Sequence, residues 1–108
     1  MESRMYVVVN KSLTKSQRIP QSSHAVAEFM NIHGLDKKVK TWVEDHKTMV
    51  VLEADSNNMD NTLSIIERDG YKTQSFREPD LDDIVTAVAF EPMTRKEGSK
   101  YFSNLKLA

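Results

Sequence analysis

Met5-Tyr6-Val7-Val8-Val9, followed after a polar stretch by Gln21-Ser22-Ser23-His24-Ala25, is the part of the chain whose reading decides the fold. An unbroken apolar run rich in β-branched residues describes a strand buried on both faces. Asn10 to Ile19 is polar and lacks periodicity, so it reads as a loop. Pro20 suits the first turn of a helix, where its missing amide hydrogen would have no partner in any case. Ala25, Val26, Phe29, Met30 and His33 then follow at helical spacing as far as Gly34, which predicts a helix over 20–33. A strand, a polar turn and a helix opening with Gln and His place polar side chains at the carboxyl edge of a sheet, where open α/β folds carry out chemistry.

Working outward, Leu35, Val39, Trp42 and Val43 mark a short second helix ending at Glu44, and Thr48 to Ala54 a second strand. Ser56 or Asn57 can cap a third helix with apolar positions Met59, Leu63, Ile65 and Ile66, stopped by Gly70. Tyr71 to Phe76 alternates with polar residues, the pattern of an edge strand, whereas Ile84 to Phe90 is uniformly apolar and ends before Pro92. Thr94 with Glu97 has the spacing of a capping box for a last helix, although Gly98 weakens the centre of that helix. Strands separated by helices predict one α/β domain over 1–108, a three-layer α/β/α sandwich on a four-stranded mixed sheet. The first and last strands should lie at its centre.

The composition narrows the function. With 108 residues there is room for one core. No apolar stretch approaches membrane-spanning length, and the opening Met-Glu-Ser-Arg has no signal-peptide character, so neither a membrane partner nor secretion is expected. The absence of Cys removes disulfides, a catalytic thiol and thiolate metal sites together. His33 and His46 stand at no metal spacing with His24, and the three glycines are isolated, so neither a metal nor a phosphate loop is expected. The net charge of −1 is unevenly spread. Lys11, Lys15 and Arg18 share one turn without an acid, while Glu78, Asp80, Asp82 and Asp83 crowd another. This distribution is compatible with a basic rim beside an acidic pocket.

Gln21 and His24 stand three residues apart on one side of the predicted helix, near its amino terminus, where the dipole favours developing negative charge. A neutral imidazole there can take a proton from water. The plainer alternative is a histidine that packs across the helix. Glu78 or Asp80, folded back against that helix, could orient the imidazole or hold a water; otherwise the acidic run is a solvated turn. Thr86 reads on general grounds as an inward-facing strand residue with its hydroxyl bonded to the backbone.

Together these parts resemble the type 2 peptidyl-tRNA hydrolase family. That family has a Val-rich strand, a Gly-Lys loop, a helix beginning Ala-Gln-x-x-His-Ala, a strand with paired Val, an acidic turn and a strand reading Thr-x-x-Ala before Pro. Here the counterparts are Tyr6-Val7-Val8-Val9, Gln21-Ser22-Ser23-His24-Ala25, Met49-Val50-Val51-Leu52, Glu78-Pro79-Asp80-Leu81 and Thr86-Ala87-Val88-Ala89 with Pro92. The closing Lys100-Tyr101-Phe102-Ser103-Asn104-Leu105 resembles the tails of shorter bacterial and phage-like relatives. The chain departs in its shorter first loop, where the family's functional Lys falls on Gln17 between Lys15 and Arg18, and in Glu78-Pro79-Asp80, which replaces Asp-Ala-Gly. The resemblance implies cytoplasmic hydrolysis of the ester joining a peptide to tRNA, without a cofactor, by a protein that commonly forms a homodimer. It assigns His24 to the attacking water, Glu78 or Asp80 to holding that imidazole or water, Thr86 to the ester group and Gln21 to the terminal nucleotide. Lys11, Lys15 and Arg18 would meet phosphates. The competing reading is a degenerate module of the same fold that binds a tRNA end or a protein without turnover.

Overall fold

The computed structural model describes residues 2–108, and Met1 lies outside them. Strand β1 (Ser3–Asn10) leads through helices α1 (Lys15–His33) and α2 (Lys37–Glu44) to β2 (Met49–Ala54), and α3 (Ser56–Arg68) leads to β3 (Thr73–Glu78). A 3-10 turn at Pro79–Leu81 precedes β4 (Ile84–Phe90), and β5 (Met93–Thr94), α4 (Arg95–Phe102) and β6 (Lys106–Leu107) close the chain. The sheet order is β3-β4-β1-β2-β6, with β5 pairing on β1. β1 runs parallel to β2 and antiparallel to β4, and β3 is antiparallel to β4. The sheet is therefore mixed and has six strands, not the four expected. The two extra strands span two residues each, too short to leave any periodicity in the sequence.

The alternation along β1 explains how the sheet is covered. Met5, Val7 and Val9 pack with Ala25 and Phe29 of α1, Val39 and Trp42 of α2, and Ala87 and Ala89 of β4. Tyr6 and Val8 pack with Met59 and Ile66 of α3, Phe102 of α4, and Val88 and Phe90. Burial of each Val or Phe contributes about 1.5–3 kcal/mol, so the two clusters are what hold these helices on the sheet. Trp42 is a core residue whose indole donates to the Thr48 carbonyl at 2.8 Å. Gly98 sits at the middle of α4 because a Cβ there would lie 2.4 Å from the Tyr6 ring. That ring stacks on Phe102 with centroids 4.4 Å apart, which offsets the roughly 1 kcal/mol a helical glycine costs.

The largest difference from expectation is where α1 begins. It starts at Lys15, not at Pro20, which lies inside the helix. Thr14 accepts from the Gln17 amide while the Gln17 side chain accepts from the Thr14 amide, a complete capping box. Pro20 and Ser16 both face solvent, so the Ser16 carbonyl that Pro20 leaves without an intrahelical donor can be hydrated. His24 is consequently almost three turns into the helix, beyond the reach of its amino-terminal dipole.

Candidate active site at the carboxyl edge of the sheet

A β-bulge sets the geometry of this edge. Between β3 and β4 the pairing steps from Phe76↔Ala87 to Arg77↔Val85, which leaves Thr86 as an extra residue opposite Phe76. Strict alternation would put Thr86 on the same face as Val88 and Phe90. The bulge instead turns it, beside Ala87, toward α1, and such re-aiming of a side chain is what bulges do. Fully buried there, the Thr86 hydroxyl donates to Gln21 Oε1 at 2.5 Å, with the Phe76 carbonyl a second acceptor at 3.3 Å. Gln21 Nε2 in turn donates to Glu78 Oε2 at 3.0 Å. The donors thus run in one direction, from hydroxyl to amide to carboxylate.

One turn beyond Gln21, the His24 ring lies over Phe76, with centroids 4.9 Å apart and planes inclined by 32°. The pairs Gln21–Glu78 and His24–Phe76 are therefore successive rungs between α1 and β3. His24 and Thr86 address the same face of the sheet. The imidazole is exposed, and among the described residues neither of its nitrogens has a hydrogen-bond partner.

The acidic segment is divided by a turn. After the 3-10 turn, Asp82 and Asp83 both take left-handed backbone angles with φ of 56°, which Asp tolerates better than most residues. The Asp83 amide donates back to the Glu78 carbonyl, and Arg77 donates to the Asp83 carbonyl. Glu78 is thereby turned inward, whereas Asp80, Asp82 and Asp83 remain exposed. Asp80 touches the cluster only through its amide, 3.5 Å from Glu78 Oε1.

The cations expected to meet phosphates differ among themselves. Lys11 and Lys15 are exposed. Arg18 is spent within the molecule: Nη1 donates to Glu53 at 2.7 Å, Nη2 to the Lys11 carbonyl and Nε to the Leu13 carbonyl. It fastens the loop after β1 instead of presenting a free fork. Gln17, where the family's lysine was expected, is half of the capping box.

Asn10 is a member of this edge that the sequence reading overlooked. Buried at the end of β1, it donates to the Val85 carbonyl at 3.2 Å and to Ser56, and it accepts from the Ser12 amide and hydroxyl. Its grip on Val85 holds the strand just before the bulge. The visible clue was an Asn closing an apolar strand two residues before Ser, the signature of an Asx turn.

A model of the peptidyl-tRNA hydrolase PTH2 family matches residues 3–108. The chain belongs to that family. No curated protein matches it. Among solved structures it is similar to the protein of unknown function Atu0240 from Agrobacterium tumefaciens strain C58, with a TM-score of 0.70 and 13% identity over 100% of this chain and 98% of that one. At that identity the likeness shows the fold. As a PTH2 member the protein has peptidyl-tRNA hydrolysis as its family-level function, with tRNA as the family's substrate. Among the described residues no helix is long and apolar enough to cross a membrane, and no three His, Asp or Glu side chains are grouped to hold a metal ion.

Proposed function

We propose that this protein cleaves the ester between a peptide, or an N-blocked amino acid, and the 3′ end of tRNA, in the cytoplasm where translation proceeds. The observation that carries the reading is the Thr86–Gln21–Glu78 relay lying beside an unpartnered His24 on one face of the sheet edge. Water must attack the ester carbonyl, lose a proton, and leave the 3′ oxygen of the ribose to take one up. His24 takes the proton from water, because its ring is exposed and its nitrogens are free. Glu78 gives Oε2 to Gln21, and Oε1, met only by the long contact from the Asp80 amide, has a lone pair left for the attacking water or the imidazole N–H. Thr86 is buried and acts as a positioning residue, fixing the amide of Gln21 so that its nitrogen faces the carboxylate and the terminal nucleotide. Lys11 and Lys15 meet phosphates as point charges, while Arg18 keeps their loop in place. Such positioning is worth several orders of magnitude in rate only if each link is held, which the hydrogen bonds of Gln21 favour.

A second reading is favoured by one observation. Gln17 caps α1 where the family's lysine was expected, and Arg18 is paired with Glu53. A protein that binds the tRNA end without turnover is its consequence. The deciding experiment follows release of labelled peptide from N-acetyl-aminoacyl-tRNA by the purified protein. Turnover supports the hydrolase, and tight binding of the same tRNA without release supports the binding module.

A further inference from the structure

On the other face of the sheet from His24, a groove of about 630 Å³ runs between α3 and α4. Its walls carry Asn58, Asn61 and Arg68 from α3, and Lys100 and Tyr101 from α4, with Asn104 just beyond that helix. A smaller hollow shares Asn58 and Asn104 with it and continues to Lys11 and Lys106. The two form one track from the sheet's carboxyl edge down the length of α3. From Asn58 to Arg68 this spans about 15 Å.

Charge along the track is weighted toward cations in a way the net charge of −1 conceals. Lys11, Lys106, Lys100 and Arg68 line it against Glu53, Asp55 and Asp69, and with Arg18 offsetting Glu53 a cationic excess remains. Glu53 accepts from Arg18, Asp55 caps α3 by accepting from the Asn58 amide, and Asp69 accepts the Tyr101 hydroxyl at 2.6 Å. Two of the cations are also held in position. Lys100 Nζ stands 5.7 Å above the centre of the Tyr101 ring, within cation–π range, and Arg68 Nε lies 3.5 Å from Asp69. At the opposite end of the sheet edge, beside β3 and β4, stand exposed Asp80, Asp82 and Asp83. The phosphates of an RNA whose 3′ end reaches Gln21 are repelled from Asp80, Asp82 and Asp83 and drawn toward Lys11 and Lys106, where the track opens.

We infer that this track binds one sugar–phosphate strand of the RNA. It is a second contact surface that extends the substrate's footprint from the carboxyl edge onto the α3–α4 face. The lysines and arginine meet phosphates, and the three asparagine amides meet phosphate or ribose oxygens, contacts that position the RNA without reading its sequence. The inference rests on the proposed function for the identity of the RNA as tRNA.

The test compares the unmodified protein with the double variant Arg68→Gln, Lys100→Gln, both exposed positions whose folding is checked by a thermal melt. A control pair, Lys40→Gln with Lys96→Gln, removes the same charge from exposed positions that do not line the track. The probe is deacylated tRNA over a salt series, with hydrolysis of N-acetyl-aminoacyl-adenosine, too short to reach the track, measured alongside. The track pair should weaken tRNA binding and lower the log–log salt slope by about 1.8 for a duplex strand, or about 1.4 for a single strand. The control pair should do much less, and turnover of the short ester should be the same in all three proteins. An unchanged salt slope in the track pair, or an equal loss in the control pair, overturns the inference. If N-acetyl-aminoacyl-tRNA itself is not hydrolysed by any of the proteins, the hydrolase reading fails, while track-dependent tRNA binding still supports the second surface.

Discussion

Gln21 and Thr86, 65 residues apart in sequence, are joined by a buried hydrogen bond in which the threonine hydroxyl donates to the amide oxygen. Thr86→Val keeps the shape and removes the donor, leaving the Gln21 oxygen unsatisfied in a buried position. It should cost about 1–3 kcal/mol in urea unfolding and lower peptide release as Gln21 loses its orientation. Thr86→Ser should retain most of both. A valine variant as stable and as active as the parent would remove this bond from the account.

His24 and Glu78 should separate from Asp80 in the same assay. His24→Ala should reduce turnover by about a hundredfold or more with little change in the melt, since the exposed ring makes no hydrogen bond and only its contact with Phe76 is lost. Glu78→Gln should also impair turnover. Asp80→Asn should leave it near the parent's, because that carboxylate points into solvent. A larger loss at Asp80 than at Glu78 would reverse the assignment of the acid.

Arg18 and Lys15 are neighbours with different expected phenotypes. Arg18→Ala releases Glu53 and two loop carbonyls, and should cost about 2 kcal/mol of stability. Lys15→Ala should leave the melting temperature in place and lower the tRNA salt slope by about 0.9, one phosphate contact on a duplex. Equal stability of the two variants would contradict the fastening role given to Arg18.

Glu97 offers a test by pH. The bond from the Thr94 amide, against the opposing pull of burial and with help from the Tyr71 hydroxyl, holds its carboxyl below the usual 4.5. Because the folded value is the lower one, its stabilising contribution is complete above the unfolded value and disappears as pH falls through the folded one. The melting temperature of the parent should therefore exceed that of Glu97→Gln near neutral pH, and the gap should close below about pH 4.5. A gap that widens in acid would show that another group dominates.

The elements that the sequence made legible are those whose pattern is long and local. β1, β2 and β4 are apolar runs, α3 has Met59, Leu63 and Ile66 at helical spacing, and the Thr94–Glu97 box marks the start of α4. The start of α1 was misplaced because Pro20 is a strong signal for a first turn, and Thr14 with Gln17 is the glutamine form of the box. β5 and β6 are pairings of two residues made possible only by the rest of the sheet. In the candidate site, His24 with Gln21 and Glu78 with Thr86 were visible as residues. What joined them was not, because a bulge is a mismatch between two strands and leaves no mark on either alone. The commitment of Arg18 to Glu53 is hidden for the same reason, since it depends on a partner 35 residues away.

The extra residue opposite Phe76 also bears on how such a protein can change over evolutionary time. Deleting one codon between Val85 and Ala87 would let β3 and β4 pair without interruption and keep the apolar alternation beyond them intact. The domain would still fold, yet nothing from β4 would reach Gln21, and Glu78 would lose its oriented donor. A hydrolase and a silent relative of it could thus be separated by a single in-frame deletion, with every residue implicated in the chemistry except Thr86 still present.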